Sequence, residues 1–128
     1  SVTTARVATF KNEWVKDGCH INGVGSYTPE MAEIDKDLII RADRGYVDTK
    51  DALVESGDFV QLIEAGSYKA EDIDGELGEL ISSGQAGRES EDDITFFETT
   101  GNAVLDIMVA KKIYDLACEK NMGKTISI

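Results

Sequence analysis

Short apolar runs alternate along this chain with amphipathic stretches. Cys19 to Val24, Tyr46 to Asp48 and Ile94 to Phe97 are rich in β-branched or aromatic residues, and the segments between them place apolar residues three and four apart. That alternation predicts strands joined by crossover helices, the α/β class, and specifically a parallel sheet. The chain has 128 residues, the size of one ordinary domain. With 41% hydrophobic residues it can bury a core without metals or disulfides.

Taken in order, Val2-Thr3-Thr4 reads as the end of a strand, because β-branched residues open the sequence with no turn or cap ahead of them. Lys11 to Lys16 reads as a helical turn stopped by Gly18. Cys19 to Val24 is a buried strand, and Gly25-Ser26-Tyr27-Thr28-Pro29 is the loop at its carboxyl end. Open α/β sheets bind ligands at such ends, and small residues there let backbone approach a ligand. Asp35 to Ala42 is a short helix with Leu38, Ile39 and Ala42 inward. Thr49 is expected to cap a helix over Lys50 to Ser56, and Asp58 a second one through Ala65. Glu71 to Ser82 reads as one amphipathic helix with Ile73, Leu77, Leu80 and Ile81 inward, ended by Gly84.

The clearest helix follows Gly101. Ala103, Ile107, Ala110, Tyr114 and Ala117 form one apolar row, and Leu105, Val109, Ile113 and Leu116 form a second. A helix with two such rows should be covered on more than one face, by this chain or by another subunit. Gly123 is its expected stop, and Lys124 to Ile128 a final strand.

Charge narrows the function. Thirteen Lys and Arg against 25 Asp and Glu give a net charge of −12, which repels nucleic acid and anionic membranes. The sequence has no apolar run long enough to span a bilayer and no signal-peptide pattern. Cys19 and Cys118 lack metal-ligand spacing and read as free thiols in a reducing cytoplasm. Gly123-Lys124-Thr125 fails as a P-loop, because Cys118 stands where the first Gly belongs and the helix precedes it. A calcium loop around Gly75 would begin at Ala70 and end at Ile81, neither of which can ligate. Glu89 to Asp93 reads as a solvated acidic loop rather than a cation site. His20 is the one histidine, so a multi-histidine metal site is excluded within these residues; its strand position favours a structural role. Tyr27 and Thr28, at a strand end, are better placed for function.

Four segments carry a resemblance to a known family. They are Val2-Thr3-Thr4-Ala5; Ile21-Asn22-Gly23-Val24-Gly25-Ser26-Tyr27-Thr28-Pro29-Glu30-Met31-Ala32-Glu33-Ile34-Asp35; Gly75-Glu76-Leu77-Gly78-Glu79; and Gly87-Arg88-Glu89-Ser90 through Thr95-Phe96-Phe97-Glu98-Thr99-Thr100-Gly101-Asn102-Ala103 to Asp106. In this order they resemble the second half of the ornithine cyclodeaminase/mu-crystallin family. The resemblance implies a cytoplasmic, dimeric NAD- or NADP-dependent oxidoreductase with hydride transfer at the carbon bearing an amino acid's nitrogen. It implies that residues 1–98 form part of a Rossmann-like NAD(P)-binding domain and 99–128 the C-terminal helix and tail of a substrate and dimerisation domain.

Residue by residue, the resemblance places Thr3, Asn22, Gly23, Val24, Gly25 and Thr99 at the cofactor and Thr100 at the substrate. Tyr27 stands where ornithine cyclodeaminases have a proton-handling Asp, and Met31 where they have a cofactor-binding Lys. A phenol with an ordinary pKa near ~10 cannot be the base that an Asp is at neutral pH, but it can donate a proton. The pair of departures suits a reductase or dehydrogenase of an amino acid or cyclic ketimine. No G-x-G-x-x-G run is present, so these residues alone are expected to bind dinucleotide weakly or not at all and to be inactive as a fragment. A homo-oligomer is expected. The competing reading is a non-enzymatic module that keeps the fold for self-association or small-ligand binding.

Overall fold

The computed structural model describes residues 1–85, 87–124 and 126. Four strands make one sheet: β1 (His20–Gly23), β2 (Arg44–Val47), β3 (Gly75–Glu76) and β4 (Thr95–Glu98), in the spatial order β1-β4-β2-β3. Every pairing is parallel. All four strands therefore end on one edge of the sheet. The helices are α1 (Lys36–Arg41), α2 (Ala52–Glu55), α3 (Gly57–Glu64), α4 (Leu77–Ser83) and α5 (Ala103–Glu119). This is the expected α/β architecture.

One face of the sheet carries the core. Strand side chains alternate between faces, so Ile21, Val47 and Phe96 point together onto Leu38 and Ile39 of α1, Ala52 and Leu53 of α2, and Phe59 and Leu62 of α3. Phe59 is fully buried, with its ring centroid 5.7 Å from those of both Tyr68 and Phe96. Each such aromatic pair adds about 0.5–1.5 kcal/mol to the area it buries. The opposite face shows His20, Asn22, Tyr46, Thr95 and Phe97 beside α4 and Arg88, around a cleft of about 560 Å³.

Several local expectations are corrected. Val2 to Thr4 is not a strand; the segment runs beside the end of β1, with Val24 N donating to Ser1 O at 3.0 Å and Ala32 N to Ala5 O at 2.9 Å. Neither Thr49 nor Asp58 is a cap. Helix α2 starts after Asp51, and α3 is capped by Ser56, whose hydroxyl accepts from Asp58 N at 3.3 Å. Asp58 is thereby free to turn inward.

The single helix expected over Glu71 to Ser82 is broken. A 3-10 turn at Ala70–Asp72 leads into β3, and α4 begins only at Leu77. The exposed edge of β2 explains the break: Asp74 N donates to Gly45 O at 2.9 Å, and the Asp74 carboxylate accepts from Gly45 N at 2.7 Å and from Arg44 at 2.9 Å. Pairing that edge outweighs a helical turn through Gly75, a poor helix former. Ile81 consequently points to solvent. Gly84 closes α4 in the left-handed region, as expected.

No residue of α5 is buried among the described residues, and Val104, Leu105, Ile107, Met108, Val109, Ile113 and Tyr114 are each more than half exposed. The double cover expected for this helix does not come from the described part of the chain. The helix ends at Glu119, before Gly123. The final strand expected at 124–128 falls mostly on Thr125, Ser127 and Ile128, which lie outside the described residues.

The core generates one prediction. Phe59→Ala should lower the unfolding free energy by about 3–5 kcal/mol in denaturant titration, because it opens a cavity in the core between β4 and α3.

Candidate functional site at the strand ends

Beyond the carboxyl end of β1, a cleft of about 490 Å³ lies between the 2–4 segment and the loop after the strand. Val2, Thr3, Thr4, Val24, Gly25 and Tyr27 line it. Glu33 ties its two walls together. One carboxylate oxygen accepts from the Thr3 backbone N–H and from Ser1 Oγ at 2.9 Å, and the other accepts from Gly25 N at 2.6 Å. Gly25 is required at this junction, since a Cβ there would overlap the Thr3 backbone and crowd the Glu33 carboxylate.

Glu33 belongs to a buried acidic layer. Glu33, Asp58 and Glu98 are all essentially inaccessible, and Ser26 and Ser56 are buried between them. Asp58 accepts from the backbone N–H groups of Glu33 at 2.9 Å and Ile34 at 3.0 Å, which is why it left the helix cap. Burial, reinforced by the charge of Glu33, pushes its carboxyl up to about 6 despite those two donors. Burial also opposes ionisation of Glu33, but there the hydrogen bonds from Thr3, Ser1 and Gly25 win, and its pKa lies below the ordinary value. Glu98 has no such donors to the same degree. Burial and the charge of Asp58 push it up to about 8.

The last strand end adds a second bracket. Thr99 N donates to Gly23 O at 3.0 Å, and Thr99 Oγ1 donates to Asp48 at the end of β2. Gly101 N reaches the same Asp48 oxygen at 3.2 Å. Thr100 Oγ1 is a buried atom with no hydrogen-bond partner among the described residues.

The structure thus brings Thr3, Val24, Gly25 and Tyr27 to one cleft, with Gly23 behind the loop and Thr99 and Thr100 at the neighbouring strand end. Asn22 is the exception. Its side chain lies on the opposite face of the sheet, where Oδ1 meets His20 Nε2 at 3.1 Å. His20 Nδ1 meets Thr95 Oγ1 at 2.7 Å, so the ring sits in a row of side-chain hydrogen bonds. Glu33, Asp48, Asp58 and Glu98 were not singled out by sequence reading. The available signal was local: Glu33 sits between Ala32 and Ile34, and Glu98 ends an aromatic strand run, both apolar settings for a carboxylate.

The parallel sheet, its crossover helices and the strand-end cleft define a Rossmann-like α/β unit. The chain belongs to the ornithine cyclodeaminase/mu-crystallin family, whose model matches residues 1–121. It is 42% identical over 127 residues to a Delta(1)-pyrroline-2-carboxylate reductase of Bacillus cereus, covering 98% of this chain and 39% of that protein. The structure of the Thermococcus litoralis Delta(1)-pyrroline-2-carboxylate reductase in complex with NADH and L-proline superposes with a TM-score of 0.88 at 33% identity, over 98% of this chain and 39% of that one. An archaeal alanine dehydrogenase dimer with bound NAD gives a TM-score of 0.86 at 35% identity, over 99% and 39%. The chain therefore spans about 39% of the length of these relatives.

Two predictions follow from the cleft and its acidic backing. Gly25→Ala should separate the walls, read as faster amide exchange at Thr3 and Gly25, whereas Gly78→Ala, with open space at its Cβ, should be neutral or stabilising by up to about 1 kcal/mol. The second concerns pH. Asp58 holds its proton to about 6 in the folded protein but releases it near 3.8 when unfolded, so the folded state binds more protons in that window. Asp58 therefore makes stability fall as pH rises from about 3.8 to about 6. In thermal melts Asp58→Asn should make the decline below about pH 6 shallower without abolishing it, because Glu98, raised from 4.5 to about 8, contributes its own decline across that whole range.

Proposed function

We propose that this chain is the C-terminal portion of an NAD(P)-dependent oxidoreductase that works at the amine or imine carbon of an amino acid or cyclic ketimine. The observation that carries the reading is the cleft at the carboxyl edge of the sheet, walled by small and hydroxyl residues. It is an open cleft at the strand ends, the place where parallel α/β sheets take their ligands. The bound NADH and L-proline of the Thermococcus litoralis relative support the same chemistry.

In this reading Gly23, Val24 and Gly25 offer backbone and space to the nicotinamide end, as Thr3 and Thr99 offer hydroxyls. A bound nicotinamide supplies or takes the hydride. Asn22 contributes through its backbone, since its side chain is on the other face. Tyr27, half exposed at the cleft, donates a proton or hydrogen bond to the substrate nitrogen, and the unpartnered hydroxyl of Thr100 contacts substrate. Rate comes mainly from holding the two reacting carbons in line. The pyrophosphate would need a glycine-rich turn that these residues do not contain, so the 128 residues by themselves bind dinucleotide weakly and turn over nothing.

A second reading has its own observation. The two exposed apolar rows of α5 favour self-association, and a module that only assembles or binds a small ligand would keep them as well.

The two readings separate in the intact protein. NADH titration followed by nicotinamide fluorescence, then assays with L-proline, L-alanine and a cyclic ketimine, should give saturable binding and turnover. Tyr27→Phe should lower kcat by about 10²-fold with little change in KM. Full activity in Tyr27→Phe would remove that residue from the chemistry. Absence of both binding and turnover would favour the assembly module.

A further inference from the structure

Glu98 and Ser56 raise a question of proton inventory. Ser56 Oγ lies 2.7 Å from Glu98 Oε1 and 2.9 Å from Ser26 Oγ, both at hydrogen-bond geometry. Ser26 Oγ in turn lies 3.0 Å from the backbone oxygen of Met31, and its hydroxyl also stands beside the Asp58 carboxyl, which increases the demand on its one proton. Each hydroxyl has a single proton to give. Backbone donors already approach from below: Gly57 N reaches Ser26 Oγ at 3.1 Å and Asp58 N reaches Ser56 Oγ at 3.3 Å, and they supply nothing to the other contacts.

With Glu98 as a carboxylate, Ser56 must donate to Oε1. Ser26 would then have to serve both Ser56 and Met31 O with one proton, and one of two contacts within this layer would be left without any. A proton on Oε1 supplies the donor that the row lacks. Glu98 then donates to Ser56, Ser56 to Ser26, and Ser26 to Met31 O. The other carboxyl oxygen agrees. Glu98 Oε2 has no hydrogen-bond partner among the described residues, and it fills the space that a Cβ at position 23 would occupy. Leaving the carbonyl oxygen of a neutral acid unpaired is far less costly than leaving a carboxylate oxygen so.

The neighbouring charges point the same way. Asp58 on α3, Glu33 in the loop before α1 and Asp48 at the end of β2 face the group, and no ion pair among the described residues reaches it. Burial and these charges together raise its pKa to about 8.

We propose that Glu98 is a positioning residue held as a neutral carboxylic acid, the donor end of a one-way hydrogen-bond row through Ser56 and Ser26 to Met31 that fixes the loop from Gly23 to Gly25. The link from that loop to nucleotide affinity rests on the functional reading above. Loss of the proton reverses the Ser56 hydroxyl, breaks the row and places an unpaired charge against Gly23. The loop should therefore loosen as pH rises through about 8.

The test uses the intact protein. At pH 7 its infrared spectrum should contain a neutral carboxylic-acid carbonyl band that fades as pH rises through about 8, a reading that needs no variant. The amide signals of Gly23, Gly25 and Gly57 should shift with the same midpoint. Glu98→Gln keeps a neutral donor at this position, so it should lack the band and hold those signals still. NADH affinity should fall several-fold between pH 7 and 9 in the wild type and stay constant in Glu98→Gln. Absence of the band at pH 7 overturns the proposal, as does a loop that titrates equally in Glu98→Gln. The loop titration with no NADH binding at any pH would support the row and refute the nucleotide reading.

Discussion

β4 is the last strand among the described residues, yet it lies between β1 and β2, and the Thr99 side of the site and the Glu98 backing of Gly23 exist only once it is seated there. Its register pairs His20 with Thr95 and Gly23 with Glu98 on one side, and Arg44 with Thr95 and Val47 with Glu98 on the other. That single placement brings Phe96 onto Phe59, puts Glu98 behind Gly23 and delivers Thr99 to Asp48. These contacts join residues 37 to 75 positions apart in sequence. The loop-closure entropy of such pairings must be met before any of them contributes, so the sheet forms as a unit or not at all.

The carboxyl edge of that sheet buries Glu33, Asp58 and Glu98 together with Ser26 and Ser56. Three carboxyl groups with no cation between them among the described residues would repel strongly if all were ionised. The structure meets the problem by unequal solvation. Glu33 is surrounded by N–H and O–H donors and stays charged, Asp58 receives two backbone donors and is intermediate, and Glu98 receives the least and keeps its proton longest. The result is a layer that orients two backbone segments, the 2–4 stretch and the 23–25 loop, without placing a charged side chain in the cleft between them. Glycine at 23 and 25 is what lets the carboxyls approach so closely.

The strand-end cleft and the exposed apolar helix occupy different surfaces. The cleft lies at one end of the sheet, whereas α5 stands clear of the core with its apolar rows in solvent, and the face carrying His20 and Phe97 is only partly covered by α4. A helix of seventeen residues with no buried side chain has little to hold it but its own hydrogen bonds.

Element type was legible in the sequence wherever a periodic pattern was strong: the strands at 20–23 and 95–98, helix α1 with Leu38 and Ile39 inward, and helix α5. Competition between local and distant partners defeated the rest. Asp58 has the chemistry of a helix cap, but two buried N–H groups from a distant turn claim it, and Ser56 caps instead. Asp74 and Gly75 sit inside a helical pattern, but an open strand edge recruits them. The motifs around Gly25 and Thr99 also carried the family, because small residues at strand ends leave a local signature. What the sequence determined by itself was the parallel α/β class and the place of the ligand edge, since both follow from short-range periodicity and turn chemistry. Only the tertiary structure decided which side chains face that edge, that Asn22 turns away from it, and that Glu98 lies buried behind it, because each depends on strand order and register, which no local pattern encodes.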